Sequence, residues 1–233
     1  MFFDTESQVQ ETRTRSNIMY KVYGWMASGL AVTGLTAYGL YSNLPLFMSL
    51  MSHKWLIFGL MFAQIILVVI LSAYIIRMSY ATSIMLFFTY AFLLGITLSS
   101  IFMVYQVQSI GLVFAITAGM FGLTALYGYF TDSDLSSMGS ILMMALFGII
   151  IAGIVNMFVH SSTFDYILAF ISVIIFAGLT AYDVQKIKQL EWQCAGDHNL
   201  TRKISILGAL TLYLDFVNLF LSLLRLLGQK KEQ

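Results

Sequence analysis

Two aspartates stand in or beside strongly apolar stretches of the sequence. Asp215 lies inside "LYLDFVNLF", residues 212–220, in an apolar run that continues to Leu227, and Asp183 ends another run at "GLTAYD". A carboxylate at the centre of a membrane helix costs roughly 2.5–3.5 kcal/mol on insertion scales. That cost argues against an accidental Asp215 and marks it as a candidate site for an ion, a proton or a buried hydrogen bond.

The chemistry open to the two aspartates is set by their charge. Two carboxylates that approach each other in a low-dielectric interior cannot both stay ionised, so they share a proton or bind a cation. Oxygen ligands of this kind suit Ca²⁺ or H⁺ better than a soft metal. We therefore predict that Asp183 and Asp215 bind a metal ion and sense pH. The alternative for Asp215 is a structural hydrogen bond to a Tyr, Thr or Asn. The alternative for Asp183 is a position at a helix end that is exposed to water.

Helical spacing surrounds Asp215 with small and polar residues. Thr211 and Asn218 lie one turn away on the same face, and Gly208 and Ser222 lie two turns away. Bulky apolar residues cover much of the remaining surface. We expect this polar stripe to face neighbouring helices, with Thr211 and Asn218 as a supporting polar face for Asp215.

The composition is that of a polytopic membrane protein. Of the 233 residues, 59% are hydrophobic and 10% are charged, whereas a typical soluble domain is about 25% charged. Runs of about 20 apolar residues predict seven spans, which must be helical because no alternating strand pattern occurs. The predicted spans are 18–41, 55–76, 81–105, 110–130, 138–159, 164–183 and 204–227.

The spans form one predicted transmembrane domain, residues 18–228, between a polar tail at 1–17 and a short polar tail at 229–233. The first tail lacks the charge order of a cleavable signal peptide, so the first run is a retained span. A cytoplasmic N-terminus puts eight basic residues inside and four outside, which favours this orientation, with the C-terminus on the far side. The eight are Arg13, Arg15, Lys21, Arg77, Lys186, Lys188, Arg202 and Lys203, and the four are Lys54, Arg225, Lys230 and Lys231.

These boundaries leave the meeting of the two aspartates open. Asp215 is 11 residues past Ile204, which places it about 16 Å into the membrane, whereas Asp183 ends its span near the inner surface. The two meet only if the seventh helix starts well below the surface or the sixth lies deeper. Arg77 ends the second span on the same face as Asp183 and is a candidate partner for it, a snorkelling anchor being the alternative.

Other kinds of site find little support. His53, His160 and His198 lie in three different predicted loops, which argues against a histidine metal cluster, and Cys194 is the single cysteine, so there is no disulfide framework. The net charge of +1 gives no field that would attract nucleic acid. The echoes "GLTAYG" (34–39), "GLTALYG" (122–128) and "GLTAYD" (178–183) are typical of small-residue helix packing.

Several stretches resemble a known family. "GLTAYDVQKIK", "GALTLYLDFVNLFLSLLRLLG" and "FTYAFLLGITLSSIF" (88–102) are similar to the Bax-inhibitor family of transmembrane Bax inhibitor motif proteins. The resemblance runs from about Tyr20 to Gly228, and "KVYGWM" and "MFGLTALYGYF" are most similar to its bacterial inner-membrane members.

The resemblance implies an all-α bundle of seven transmembrane helices with the last helix at its centre. It also implies a pH-sensitive calcium leak in which Asp183 and Asp215 form a carboxylate pair and Arg77 latches to Asp183. Calcium is then a permeant or weakly bound ion rather than a tightly held cofactor. A membrane protease is a possible partner, because a related branch of the family is associated with membrane protease quality control.

Two other classes of function remain as alternatives. Intramembrane aspartyl proteases also place Asp on two neighbouring helices, but their second Asp lies in a glycine-rich "GxGD" stretch. Here Leu212 and Leu214 replace the glycines, and the single proline is Pro45, so the backbone cannot easily approach a substrate strand. We therefore predict that the protein is not an enzyme. The other alternative is a non-transporting protein that binds and restrains another membrane protein.

Overall fold

The computed structural model describes residues 3–193 and 197–231, and Cys194 lies outside them. Nine helices occupy the described residues. An isolated β-bridge also pairs Tyr105 with Lys230. The helices are α1 (Phe3–Ser42), α2 (Leu44–Ser52), α3 (Lys54–Tyr74), α4 (Tyr80–Leu98), α5 (Ile101–Val104), α6 (Val107–Phe130), α7 (Ser136–Val159), α8 (Ser162–Gln193) and α9 (His198–Leu227).

Six helical segments of the described chain are long and apolar enough to cross a membrane: α3, α4 together with α5, α6, α7, α8 and α9. They correspond to the second to seventh predicted spans. The first predicted span lies on α1. This helix contains many glycines, serines, threonines and tyrosines, so its mean hydropathy is lower than that of the other six segments. In the most apolar stretch of α9, 72% of the residues are buried, which is the largest share among the six segments.

The predicted end of the sixth span is wrong. Instead of stopping at Asp183, α8 continues to Gln193, so most of the predicted polar linker 184–203 is helical. Val184 and Ile187 follow the apolar run and are buried. Because these two residues pack against the protein, the helix continues although most of the side chains around them are polar. Asp183 therefore lies well inside a helix rather than at its end.

A short helix also forms where "SNLPLF" predicts a break. Pro45 lies in the first turn of α2, where its missing N–H costs nothing. The side chain of Asn43 caps this helix by accepting a hydrogen bond from the Leu46 N–H at 3.4 Å.

The chain divides into two compact units. The first comprises Met1–Val104 and Ile187–Tyr213. At its core the hydroxyl groups of Tyr213 and Thr33 are hydrogen-bonded at 2.6 Å. The Tyr213 ring, which has no exposed surface, meets the rings of Phe87 and Tyr90 edge-to-face. A Cβ on Gly95 would collide with the backbone of Thr33, so this glycine lets α4 approach α1 closely.

The second unit comprises Tyr105–Lys186 and Leu214–Gln233. The chain after α9 is held at the start of α6. Gln106 N donates to Gln229 O at 2.9 Å, and Gln229 N donates to the Ser109 hydroxyl oxygen at 2.8 Å. Arg225 and Asp165 form an exposed ion pair at 3.6 Å near the same end of α9. The second unit also contains both candidate aspartates.

Candidate functional site

The side chains of Asp183 and Asp215 meet. Asp183 on α8 and Asp215 on α9 bring their carboxyl groups within hydrogen-bonding reach of each other. Asp215 is 6% exposed, so it does not face lipid, and its Oδ2 has no hydrogen-bond partner among the described residues. A hydrogen bond between two carboxyl groups requires a proton on one of them. The arrangement therefore fits a pair that holds one proton between two side chains.

Close packing of α8 against α6 and α7 positions Asp183. Gly128 on α6 lies directly against the backbone of Ala181, and a Cβ at Gly139 on α7 would run into the ring of Tyr182. Both contacts involve residues immediately before Asp183. Two neighbouring helices therefore hold this turn of α8, and the glycines that permit the approach belong to "GLTALYG" and to the start of α7.

Gln185 fastens the same turn of α8 to the connection between α6 and α7. Its Oε1 accepts a hydrogen bond from Leu135 N at 2.9 Å, and its Nε2 donates to Ser133 O at 2.8 Å. Gln185 is buried, with 8% of its surface exposed. Sequence reasoning missed this positioning residue, although an amide two residues beyond Asp183 in a strongly apolar chain was a usable signal.

Aromatic contacts hold α9 beside α6 next to Asp215. The ring of Phe216 meets those of Phe114 and Phe121 edge-to-face, with centroids 5.3 and 5.4 Å apart. Phe220, one turn further along α9, meets Phe114 at 6.0 Å. These contacts restrict rotation of α9 about its axis, so the position of Asp215 follows from the packing of its neighbours.

The predicted supporting residues form hydrogen bonds within α9 itself. Thr211 Oγ1 donates to Leu207 O at 3.1 Å, and Asn218 Nδ2 donates to Leu214 O at 2.8 Å. The Thr211 hydroxyl and the Asn218 amide nitrogen thus each donate one turn back along the helix. Support for Asp215 from Thr211 and Asn218 stays a prediction.

Lys186 is a cationic neighbour of Asp183. Lys186, one turn along α8, interacts favourably with the Asp183 carboxylate, and its ammonium lies 5.7 Å from the centre of the Tyr182 ring. Arg77 belongs to the first unit and is exposed in the turn after α3. The latch between Arg77 and Asp183 stays a prediction.

The described residues contain no group of three or more His, Cys, Asp or Glu side chains that could hold a metal ion. His53 lies between α2 and α3, whereas His160 ends α7 in the left-handed conformation with φ of 55°. Ca²⁺ takes six to eight oxygen ligands, and the two aspartates supply at most four. Binding of Ca²⁺ by Asp183 and Asp215 stays a prediction.

Comparisons with known proteins extend over nearly the whole chain. The family model described as "Inhibitor of apoptosis-promoting Bax1" matches residues 15–232. The chain is 46% identical over 228 residues to the inner membrane protein YbhL of Escherichia coli (strain K12), covering 97% of each protein. It is 40% identical over 228 residues to an uncharacterised protein of Borreliella burgdorferi, covering 98% of each, and 34% identical over 209 residues to YrjE of Lactococcus lactis, covering 89% and 88%.

Proposed function

The chain belongs to the Bax-inhibitor family, and from that membership and the geometry of Asp183 and Asp215 we propose that it is a pH-sensitive calcium leak channel of the inner membrane. The carboxylate pair on α8 and α9 is its gate. The observation that supports this proposal most directly is the close approach of the carboxyl group of Asp183, which is partly buried, to that of Asp215, which is buried.

The shared proton is the physical basis of the proposed gate. While the pair holds a proton, it carries one negative charge and α8 stays linked to α9. Loss of the proton leaves two carboxylates that repel each other in a low-dielectric interior. The protein then relieves the repulsion by separating them or by giving one of them a cationic partner. A pair with these two states is the element that a pH switch requires.

Arg77 is the proposed cationic partner in the closed arrangement. An ionised Asp183 forms a salt bridge with Arg77, whereas protonation of the pair releases it. Calcium flux is therefore expected to rise as the pH falls, because acid favours the released arrangement. Arg77→Ala should weaken the closed arrangement alone, giving greater flux at high pH and little change at low pH.

Calcium flux in proteoliposomes tests the proposal. Wild-type protein should give flux that differs on the two sides of neutral pH, measured with a calcium dye trapped in the vesicles. Asp183→Asn and Asp215→Asn should each flatten this dependence, since an amide keeps one member of the pair neutral at every pH. Asp165→Asn is the matched control, because Asp165 is an exposed aspartate on the same helix outside the pair, and it should retain the wild-type dependence.

Two outcomes would contradict the proposal. Unchanged pH-dependent flux in both single variants of the pair would make Asp183 and Asp215 a structural contact. No flux from folded wild-type protein would instead favour the alternative of a protein that binds and modulates another membrane protein, such as a protease. Capture of a specific membrane partner would then become the relevant measurement.

A further inference from the structure

A groove opens on the surface of the first unit, away from the aspartate pair. It has a volume of about 490 Å³ and lies where α1 meets the beginnings of α4 and α9. Six of its lining residues are two basic residues, three aromatic residues and one glycine. They are Tyr20, Lys21, Gly24, Trp25, Tyr80 and Arg202.

The cationic and aromatic groups of the groove are held by contacts of their own. The guanidinium of Arg202 stacks over the ring of Tyr80, 5.6 Å from its centre. The ring of Trp25 meets Phe88 edge-to-face at 5.8 Å. None of the described residues that line the groove is acidic. Lys21 and Arg202 therefore give it a positive charge that an anion would complement.

The groove extends along the helix as well as across it. On α1 its lining runs from Tyr20 to Ser28, which is about 12 Å along the helix axis. Gly24 lies between them, and apart from its chain neighbours and the backbone of its own helix nothing lies within 4 Å of the position that its Cβ would occupy. Tyr20 is 79% exposed at the charged end. Trp and Tyr are enriched where a membrane protein meets the headgroup layer.

We propose that this groove binds an anionic glycerophospholipid, with its phosphate between Lys21 and Arg202 and the start of an acyl chain along Gly24 and Trp25. Basic pockets between helices on the cytoplasmic side are typical headgroup sites, and positive residues favour that side. A free phosphate would pair with the two cations but would leave the part of the groove along Gly24 and Trp25 empty. The proposal does not depend on calcium transport.

Lipid binding to the purified full-length protein in detergent tests the proposal. Native mass spectrometry should show saturable binding of palmitoyl-oleoyl phosphatidylglycerol and weaker, non-saturating binding of the matching phosphatidylcholine. Lys21→Gln and Arg202→Gln should each weaken phosphatidylglycerol binding about fivefold, the effect of one basic residue near an anionic headgroup. Arg77→Gln is the matched control, because it removes one exposed positive charge of the same unit that does not line the groove.

A steric variant separates the groove from general attraction to charge. Gly24→Leu should fill the groove without changing the charge and abolish saturable binding. Gly34→Leu is its control, since Gly34 is another exposed glycine of α1 with open space around it. If Gly24→Leu does not fold, the two charge variants and Arg77→Gln decide the matter.

Three results would overturn the proposal. They are equal binding of the two lipids, an Arg77→Gln variant that weakens binding as much as Arg202→Gln, and a folded Gly24→Leu variant with normal binding. Inorganic phosphate that displaces phosphatidylglycerol completely at low millimolar concentration would also count against it, because the site would then recognise a free anion. Survival of lipid binding in excess phosphate supports it.

Discussion

Gly128 on α6 lies directly against the backbone carbonyl of Ala181 on α8, two residues before Asp183. The contact joins two of the three "GLT" echoes of the sequence, one supplying the glycine and the other the carbonyl. A side chain at position 128 would meet rigid backbone rather than the flexible end of another side chain. The glycine at position 128 therefore permits the close approach of α6 to α8 beside the aspartate pair.

Gly128→Ala should destabilise the protein by about 1–3 kcal/mol, the usual cost of forcing extra atoms into a packed contact. It should also alter the pH dependence of flux by moving Asp183. Gly122→Ala on the same helix is the control, because nothing lies within 4 Å of a Cβ there. The control should be neutral or slightly stabilising, since Gly in a helix is less favourable than Ala. Equal thermal unfolding of the two variants would contradict the close packing.

Gln185 should be required for stability. Gln185→Leu leaves the Leu135 N–H and the Ser133 carbonyl without their side-chain partner, and a buried unsatisfied polar group costs about 1–3 kcal/mol. Gln185→Glu keeps the acceptor for Leu135 N but loses the donor to Ser133 O. Chemical or thermal unfolding should rank wild type first, the Glu variant second and the Leu variant last. A Leu variant as stable as wild type would mean that the two hydrogen bonds contribute nothing net.

The hydrogen bond between Tyr213 and Thr33 predicts unequal costs for removing its two partners. Thr33 Oγ1 also lies 3.0 Å from Gly29 O and 2.9 Å from Ala91 O. Because both carbonyl oxygens can only accept, Thr33 donates to them and accepts from the Tyr213 hydroxyl. Tyr213→Phe should cost about 1 kcal/mol, the net value of one such bond. Thr33→Val should cost more, because it leaves a phenol hydroxyl buried without a partner. Unfolding measurements that reverse this order would exclude the assigned donor direction.

Much of this architecture follows from the sequence by simple rules. Long apolar runs located six of the seven predicted spans, and the cost of a charge in a membrane singled out Asp215. The end of α8 could not be found in this way, because burial of Val184 and Ile187 continues the helix after the apolar run ends. Helix continuation there depends on tertiary packing, which hydropathy does not measure.

The surroundings of the pair were harder to predict than the pair itself. The repeated "GLT" motifs indicate packing, but a sequence does not say that Gly128 meets Ala181 rather than another helix. Gln185 was missed for a similar reason, since its partners are backbone atoms of a connection 50 residues away. Both are contacts between distant parts of the chain, whereas hydropathy and helical periodicity each describe one segment at a time.

The membrane topology gives a further prediction. Gln106 and Gln229 are joined by a backbone hydrogen bond of 2.9 Å, so the C-terminus and the turn between α5 and α6 lie on the same face of the membrane. With a cytoplasmic N-terminus and seven spans, that face is the outer one. Reporter fusions after Lys231 and within residues 105–106 should agree with each other and differ from a fusion at the N-terminus. A cytoplasmic signal from the C-terminal fusion would contradict α1 as a span or the orientation.

The strongest prediction concerns coupling within the aspartate pair. Asp215→Asn and Asp183→Asn each replace the shared proton with an amide that donates a hydrogen bond at every pH, so either change alone removes the titrating element. The double Asp→Asn variant should therefore alter the pH dependence of calcium flux little more than either single variant. Residues that act as a unit show this kind of non-additivity, whereas separate sites more than about 7–10 Å apart add. Flux from the four proteins, measured across the same pH range in vesicles of one composition, gives the coupling directly. Additive effects of the two single changes would show that Asp183 and Asp215 titrate independently, and the shared-proton gate would have to be abandoned.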